Sequence, residues 1–369
     1  MDSDIYKSVC DEAIGLLMTY RCNLHCQYCY IKQKQNKDMS LEMAQKIIGP
    51  FLIKEGRSLD IIFVGGETLL AIDIIRPLVE WAENGKWGSR FRFFGSTNGT
   101  LLTEDIKEWL KKHKQTLILG LSYDGLPSSQ IKNRGADNID VQFFIDNWPN
   151  QPIQMTINED SVRNMAEGIV SLLEKGAAVH PNVAYEEKEW EKESVSEYGR
   201  QLYKLIKYYS EHKGKYLISQ FRHDLNEYAT CLDNHKGQKL ICGAGNGYQV
   251  FDVDGRSYPC HILSPLVLTG SKLQRIREDF ISGIKTFEDK DCSSCPYTTS
   301  CPTCIACNYV YRNCFPKRDK THCRIMRTEV RACIKSEVMR LQSELNLTPE
   351  DATIIDSIQK LIKYEYNQI

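Results

Sequence analysis

Short apolar runs alternate with amphipathic stretches through the first 210 or so positions of the chain. Ile14–Tyr20, Leu59–Val64, Phe91–Ser96, Leu117–Ser122, Ile153–Ile157 and Ala177–Ala184 each read as a buried strand. Helical periodicity follows each of them. It covers Leu41–Ile53 (with Ser40 placed to cap it), Leu70–Trp81, Leu101–Lys112, Val141–Trp148, Ser161–Leu173 and Ser194–Tyr209. Strands alternating with helices predict a parallel sheet. Six units are too few for a closed eightfold barrel, so the pattern predicts an α/β fold with an open, partial (β/α)6 TIM-like barrel. Functional loops are then expected at the C-terminal ends of the strands.

The pattern changes after residue 215. Tyr248–Val253 and Arg256–Cys260 flank Asp254-Gly255, a hairpin signal. From Cys292 to Cys323 the chain is short of core aliphatics. Helical periodicity resumes from Arg324 to about Leu345 and again over Pro349–Tyr364. The expected division is a barrel over 1–215, a linker over 216–241, a cysteine-rich domain over 242–323 and C-terminal helices over 324–369.

Composition sharpens this picture at one point. Hydrophobic residues are 42%, charged residues 26% and the formal net charge is −1. That is an ordinary globular balance with no basic field for nucleic acid. No apolar run is long enough to span a bilayer and no signal peptide is visible, so a cytoplasmic location without membrane attachment is expected. The anomaly is 15 cysteines, most of them clustered. In a reducing compartment, clustered thiols point to metal rather than disulfides.

Cys22, Cys26 and Cys29 form C-x3-C-x2-C on the loop after the first strand. Three thiolates on one tight loop can ligate three irons of a [4Fe–4S] cube and leave the fourth open. With Tyr28 as the aromatic before the last cysteine, this resembles the signature of the radical S-adenosylmethionine (SAM) superfamily. Zinc, the alternative metal, usually wants four ligands. Gly65-Gly66-Glu67, directly after the second strand, resembles the family's GGE motif, with Thr68 where Pro is usual. The resemblance implies that Glu67 meets the SAM ammonium and that Arg134 meets its carboxylate. It also places Ser122, and the loop holding Asn98, close to SAM. On their own, these loops also read as turns and helix caps.

A second set of cysteines resembles the SPASM extension of peptide-modifying members. Cys242 and Cys260 bracket Gly255, and Cys292-x2-Cys295-x5-Cys301-x2-Cys304 follows, then Cys307, Cys314 and Cys323. By that resemblance, Cys292, Cys295, Cys301 and Cys323 hold one auxiliary [4Fe–4S] cluster. Cys242, Cys260 and Cys304 hold another. The interval before Cys304 is one residue shorter than in the family, so Cys307 or Cys314 could complete that second site, or an iron could stay open. C-x2-C pairs also build zinc ribbons, but the cysteines outnumber what one zinc needs.

The resemblance implies one catalytic and two auxiliary clusters, SAM, and a flavodoxin- or ferredoxin-type reductant. It fits best an oxidoreductase that matures ribosomally made precursor peptides. Such an enzyme abstracts hydrogen from a peptide and closes a thioether or a carbon–carbon cyclophane. Two alternatives share the architecture: a sulfatase-type maturase making formylglycine, and a peptide epimerase. A non-enzymatic iron–sulfur electron carrier would need neither the open iron nor the GGE loop. With thirteen residues ahead of Ile14, leader recognition is expected from the barrel rim, a separate protein or the C-terminal helices. The identity of the peptide and of the bond formed does not follow from these residues.

Overall fold

The computed structural model describes residues 12–32, 34–234, 242–245, 247–284, 292–344 and 346–367. The N-terminal residues read for a targeting signal, Cys10, and the end of the expected linker lie outside them.

The elements run β1 (Glu12–Thr19), α1 (Leu41–Leu52), β2 (Ser58–Gly65), α2 (Ile72–Asn84), β3 (Arg90–Thr97), α3 (Glu104–His113) and β4 (Leu117–Leu121). They continue with α4 (Pro127–Arg134), α5 (Val141–Asn147), β5 (Ile153–Ile157), α6 (Met165–Glu174), β6 (Val179–Val183), α7 (Lys192–Glu211) and α8 (Leu225–Asp233). Then come β7 (Tyr248–Phe251), β8 (Ser257–Tyr258), α9 (Gly270–Ile284), α10 (Ile305–Arg312), α11 (Lys320–Ser343) and α12 (Pro349–Tyr366).

All six expected strands form. The main sheet has the order β4-β3-β2-β1-β7-β8. Pairings from β4 through β1 to β7 are parallel, and β7 with β8 is antiparallel. Beyond β4 the ladder thins to one parallel bridge, Ser122 with Gln154, which brings in β5; β5 and β6 form a separate pair. Ile14, Leu16, Leu17 and Met18 of β1 are fully buried. A strand apolar on both faces needs covering on both, which is the usual condition of a parallel strand in an α/β fold.

Helix starts follow local chemistry. The Ser40 hydroxyl accepts the Met43 N–H at 3.1 Å, and Thr103 and Asp140 cap α3 and α5 in the same way. Thr348 and Asp351 form a reciprocal capping box at α12. Each is the standard answer to unpaired N–H groups in a first turn.

The expected domain boundaries differ from the compact units observed. One unit gathers Met1–Thr156, Leu172–Val179 and Cys242–Asp279; the other gathers Ile157–Ser171, His180–Ile241 and Phe280–Ile369. Within the first, β7 of the 248–258 hairpin pairs in register with β1 from Ala13↔Tyr248 to Leu16↔Phe251. Within the second, the stretch expected as linker contains α8. Its Leu225, Tyr228 and Ala229 join Met326, Val330, Ile358 and Leu361 in one core. Among the described residues no helix is long and apolar enough to cross a membrane.

Candidate functional site

The first cysteine loop leaves β1 and is bonded to the loops that follow the next three strands. From the second strand, Gly66 N–H donates to Thr19 C=O at 3.0 Å and Glu67 N–H to Arg21 C=O at 2.8 Å. The glycines are required by this approach. A Cβ on Gly66 would lie 2.0 Å from the Arg21 carbonyl oxygen and 2.9 Å from Cys22 Cβ. Gly65 has φ +147° and faces the Thr19 carbonyl. From the third strand, Asn98 Nδ2 donates to Asn23 Oδ1 at 3.0 Å, while Asn23 Nδ2 donates to Thr100 Oγ1 at 2.8 Å. From the fourth, Tyr28 Oη donates to Asp124 Oδ2 at 2.7 Å, and Gln27 N–H donates to the Asn133 carbonyl at 2.9 Å.

These bonds occupy several of the expected SAM contacts. Glu67 is 2% exposed, and its carboxylate accepts Leu69 N–H (3.0 Å), Thr97 Oγ1 (2.6 Å) and Asn98 N–H (2.8 Å). Burial pushes its pKa up, and those three hydrogen bonds pull against it. Glu67 thus ties the second loop to the third. Asn98 Oδ1 accepts from Thr100. Ser122 sits at the end of β4, half-buried, with no hydrogen bond of its hydroxyl among the described residues.

Arg134, expected against a ligand carboxylate, faces a protein one. Its Nε and Nη2 donate to Asp124 Oδ1 at 3.2 and 3.0 Å, with both side chains buried. The guanidinium also lies 5.3 Å from the Tyr28 ring centroid. Asp124 further accepts Asn133 Nδ2 and Thr156 N–H. It is therefore the hub that holds α4, β5 and the cysteine loop together, as an acid satisfied by several donors can. The helix α4 that delivers Asn133 and Arg134 was not expected from periodicity. Its one large aliphatic residue, Ile131, is 50% exposed.

The three thiols are free and half-buried. Burial pushes the Cys22 and Cys26 thiols up; for Cys26, the Arg134 charge is the main opposing influence. Deprotonation is thus disfavoured until a cation binds, as metal ligation commonly requires.

In the second unit, Cys292, Cys295, Cys301 and Cys323 line one cavity of about 680 Å³. That is the quartet expected to share a cluster. Among the described residues no three His, Cys, Asp or Glu side chains converge as they would around a single ion.

The remaining cysteines fall in different places. Cys242, exposed, and Cys260, buried, belong to the first unit, where both act electrostatically on half-buried Tyr248. Cys304 belongs to the second unit and caps α10, its Sγ accepting Cys307 N–H at 3.4 Å. Hydrogen bonding from Cys307 holds the Cys304 thiol below its ordinary pKa. Cys314 is exposed, just after left-handed Asn313. Cys231 and Cys333 are buried core residues. Sequence reading passed over Arg318, which lies in the quartet cavity; a basic residue inside a cysteine-rich stretch is the signal that marks it.

Glu67→Gln should test the tie between loops. It puts an amide NH2 among three donors, and a loss of roughly 1–3 kcal/mol of stability is expected. Urea unfolding under anaerobic conditions measures it; an unchanged midpoint means the ties are dispensable.

Residues 16–147 match the Radical SAM superfamily. The chain is 35% identical over 116 residues to an uncharacterised protein of Methanocaldococcus jannaschii, covering 31% of this chain and 40% of that one. It is 30% identical over 148 residues to the radical SAM cyclopropyl synthase TigE of Paramaledivibacter caminithermalis (35% and 30% covered). It is 31% identical over 114 residues to a serine-type anaerobic sulfatase-maturating enzyme of Bacteroides thetaiotaomicron (28% and 27% covered). The chain thus spans less than half the length of these curated relatives. Among solved structures, the fold is similar to that of anSMEcpe with bound AdoMet, at TM-score 0.64, 16% identity, and 94% and 98% coverage. It is also similar to Streptococcus suis SuiB bound to its precursor peptide SuiA, at TM-score 0.59, 16% identity, and 84% and 75% coverage.

Proposed function

From the premise that residues 16–147 form a radical SAM domain, we propose that this chain is a peptide maturase that closes an oxidative cross-link in a precursor peptide. The bond is a thioether or a carbon–carbon link. The observation that carries this reading is the second set of thiols. A domain that only cleaved SAM would need Cys22, Cys26 and Cys29, yet four further cysteines line a separate cavity.

A [4Fe–4S] cluster held by Cys22, Cys26 and Cys29 would, with SAM, supply a reductively generated 5′-deoxyadenosyl radical, and one held by Cys292, Cys295, Cys301 and Cys323 would supply an acceptor for the electron released when the substrate radical closes on a thiolate or an aromatic carbon. The protein's part is positional. Cys22, Cys26 and Cys29 offer thiolates from a loop fixed by Glu67, Asn98 and Asp124. The Gly65-Gly66-Glu67 turn, Asn98, Ser122 and Arg134 are proposed to border SAM beside this loop. The peptide substrate is supported by SuiB, solved with its precursor peptide, and by anSMEcpe, solved with the Cp18Cys peptide. The reductant is proposed to be of the flavodoxin or ferredoxin type.

The sulfatase-type reading has its own support in the Bacteroides relative and the anSMEcpe fold. It predicts an aldehyde and no ring. The test is co-expression with a candidate peptide, followed by high-resolution mass spectrometry. A product lighter by two hydrogens, resistant to hydrazide capture, with fragmentation missing across a ring, is the expected result. A serine oxidised to formylglycine loses the same two hydrogens but is captured by hydrazide. Unchanged mass with deuterium at one alpha carbon would overturn cross-linking in favour of epimerisation.

A further inference from the structure

Six Lys and Arg side chains between positions 312 and 327 line the quartet cavity. Arg312, Arg324 and Arg327 pair with Asp319, Glu189 and Glu365. Five of the six are at least partly exposed. Arg318 is only 7% exposed, and its Nη1 donates to Cys301 Sγ at 3.4 Å.

Cys292, Cys295 and Cys323 line the same cavity as Cys301 and Arg318. A buried guanidinium is costly unless negative charge compensates it. A [4Fe–4S] cluster on four thiolates provides that charge, as a dianion that becomes a trianion on one-electron reduction. A fixed cation stabilises the trianion more than the dianion, and so favours reduction.

We propose that Arg318 is a positioning residue that raises the reduction potential of a cluster held by Cys292, Cys295, Cys301 and Cys323, so that this site accepts an electron. The proposal rests on the reading of the quartet as cluster ligands. In the step concerned, the cluster gains one electron from the substrate radical as that radical closes its bond. No proton moves at Arg318, because the guanidinium is charged throughout.

The experiment is a dithionite titration of the reconstituted full chain, followed by electron paramagnetic resonance. In Arg318→Gln one reduction wave should fall by about tenfold in its equilibrium constant, about 59 mV for a one-electron couple. In Arg318→Lys, which keeps the charge, the same wave should stay within about threefold of wild type. Full iron loading in Arg318→Gln with every wave unmoved overturns the proposal. If Arg318→Gln fails to load, wild-type protein labelled with 15N-arginine decides. A 15N coupling in the reduced spectrum supports the contact with Cys301; its absence overturns it. If Cys292→Ala removes no wave from the wild-type set, the ligand reading fails, and the proposal with it.

Discussion

On the proposed three-cluster reading, replacing Cys22, Cys26 and Cys29 together with alanine should abolish 5′-deoxyadenosine formation and lower iron from about twelve to about eight per chain, the difference of one cluster. The fold should survive. The loop is held by Asn23 with Asn98, Tyr28 with Asp124, and the Arg21 carbonyl with Glu67 N–H, none of which involves a thiol. Circular dichroism should therefore match wild type while iron analysis and chromatography of the SAM products change. A variant that still makes 5′-deoxyadenosine would move the catalytic centre elsewhere. Loss of all iron would mean that the loop and the quartet assemble together.

Asp124→Ala should be the most damaging single change outside the cysteines. It removes the counter-charge of a guanidinium that is 8% exposed. Breaking a buried pair from one side costs roughly 3–5 kcal/mol, because the remaining charge has no compensation. Tyr28 Oη, Asn133 Nδ2 and Thr156 N–H lose their acceptor in the same stroke. Anaerobic urea unfolding measures the loss. The double variant Asp124→Ala, Arg134→Met should recover part of it, since an apolar side chain carries no charge to compensate; neighbours in one network are expected to be non-additive. A loss below about 1 kcal/mol in Asp124→Ala, the range of an exposed pair, would mean that the pair is not a structural hub.

Strands announced themselves, because an apolar run such as Ile14–Tyr20 has one use in an α/β chain. Capped helices did too: Ser40 before Leu41 and Thr348 before Pro349 are local chemistry. Four helices did not: α8 falls in the expected linker, and α9 lies in the stretch read only for its cysteines. α4 lacks an apolar stripe, and α10 lies among cysteines, where hydrophobic periodicity says little. The cysteine groupings were legible as spacing, and the quartet does line one cavity. The partners of Glu67 and Arg134 were not legible. A charge in a motif states what it could bind, but which group reaches it depends on loops arriving from other strands. Asp124 and Arg134 meet because α4 turns the chain back, and no periodicity encodes that.

The pairing of β1 with β7 has a consequence for how the chain is made. Ala13 leaves the ribosome early, and its register partner Tyr248 emerges more than two hundred residues later. Until then, one edge of this largely buried strand has no neighbour. Contacts between such distant positions form slowly, and an unpaired apolar edge recruits other chains. Synthesis stopped short of β7 should therefore yield aggregates rather than a soluble SAM-cleaving fragment. The barrel sheet owes its completion to the same segment that carries Cys242 and Cys260.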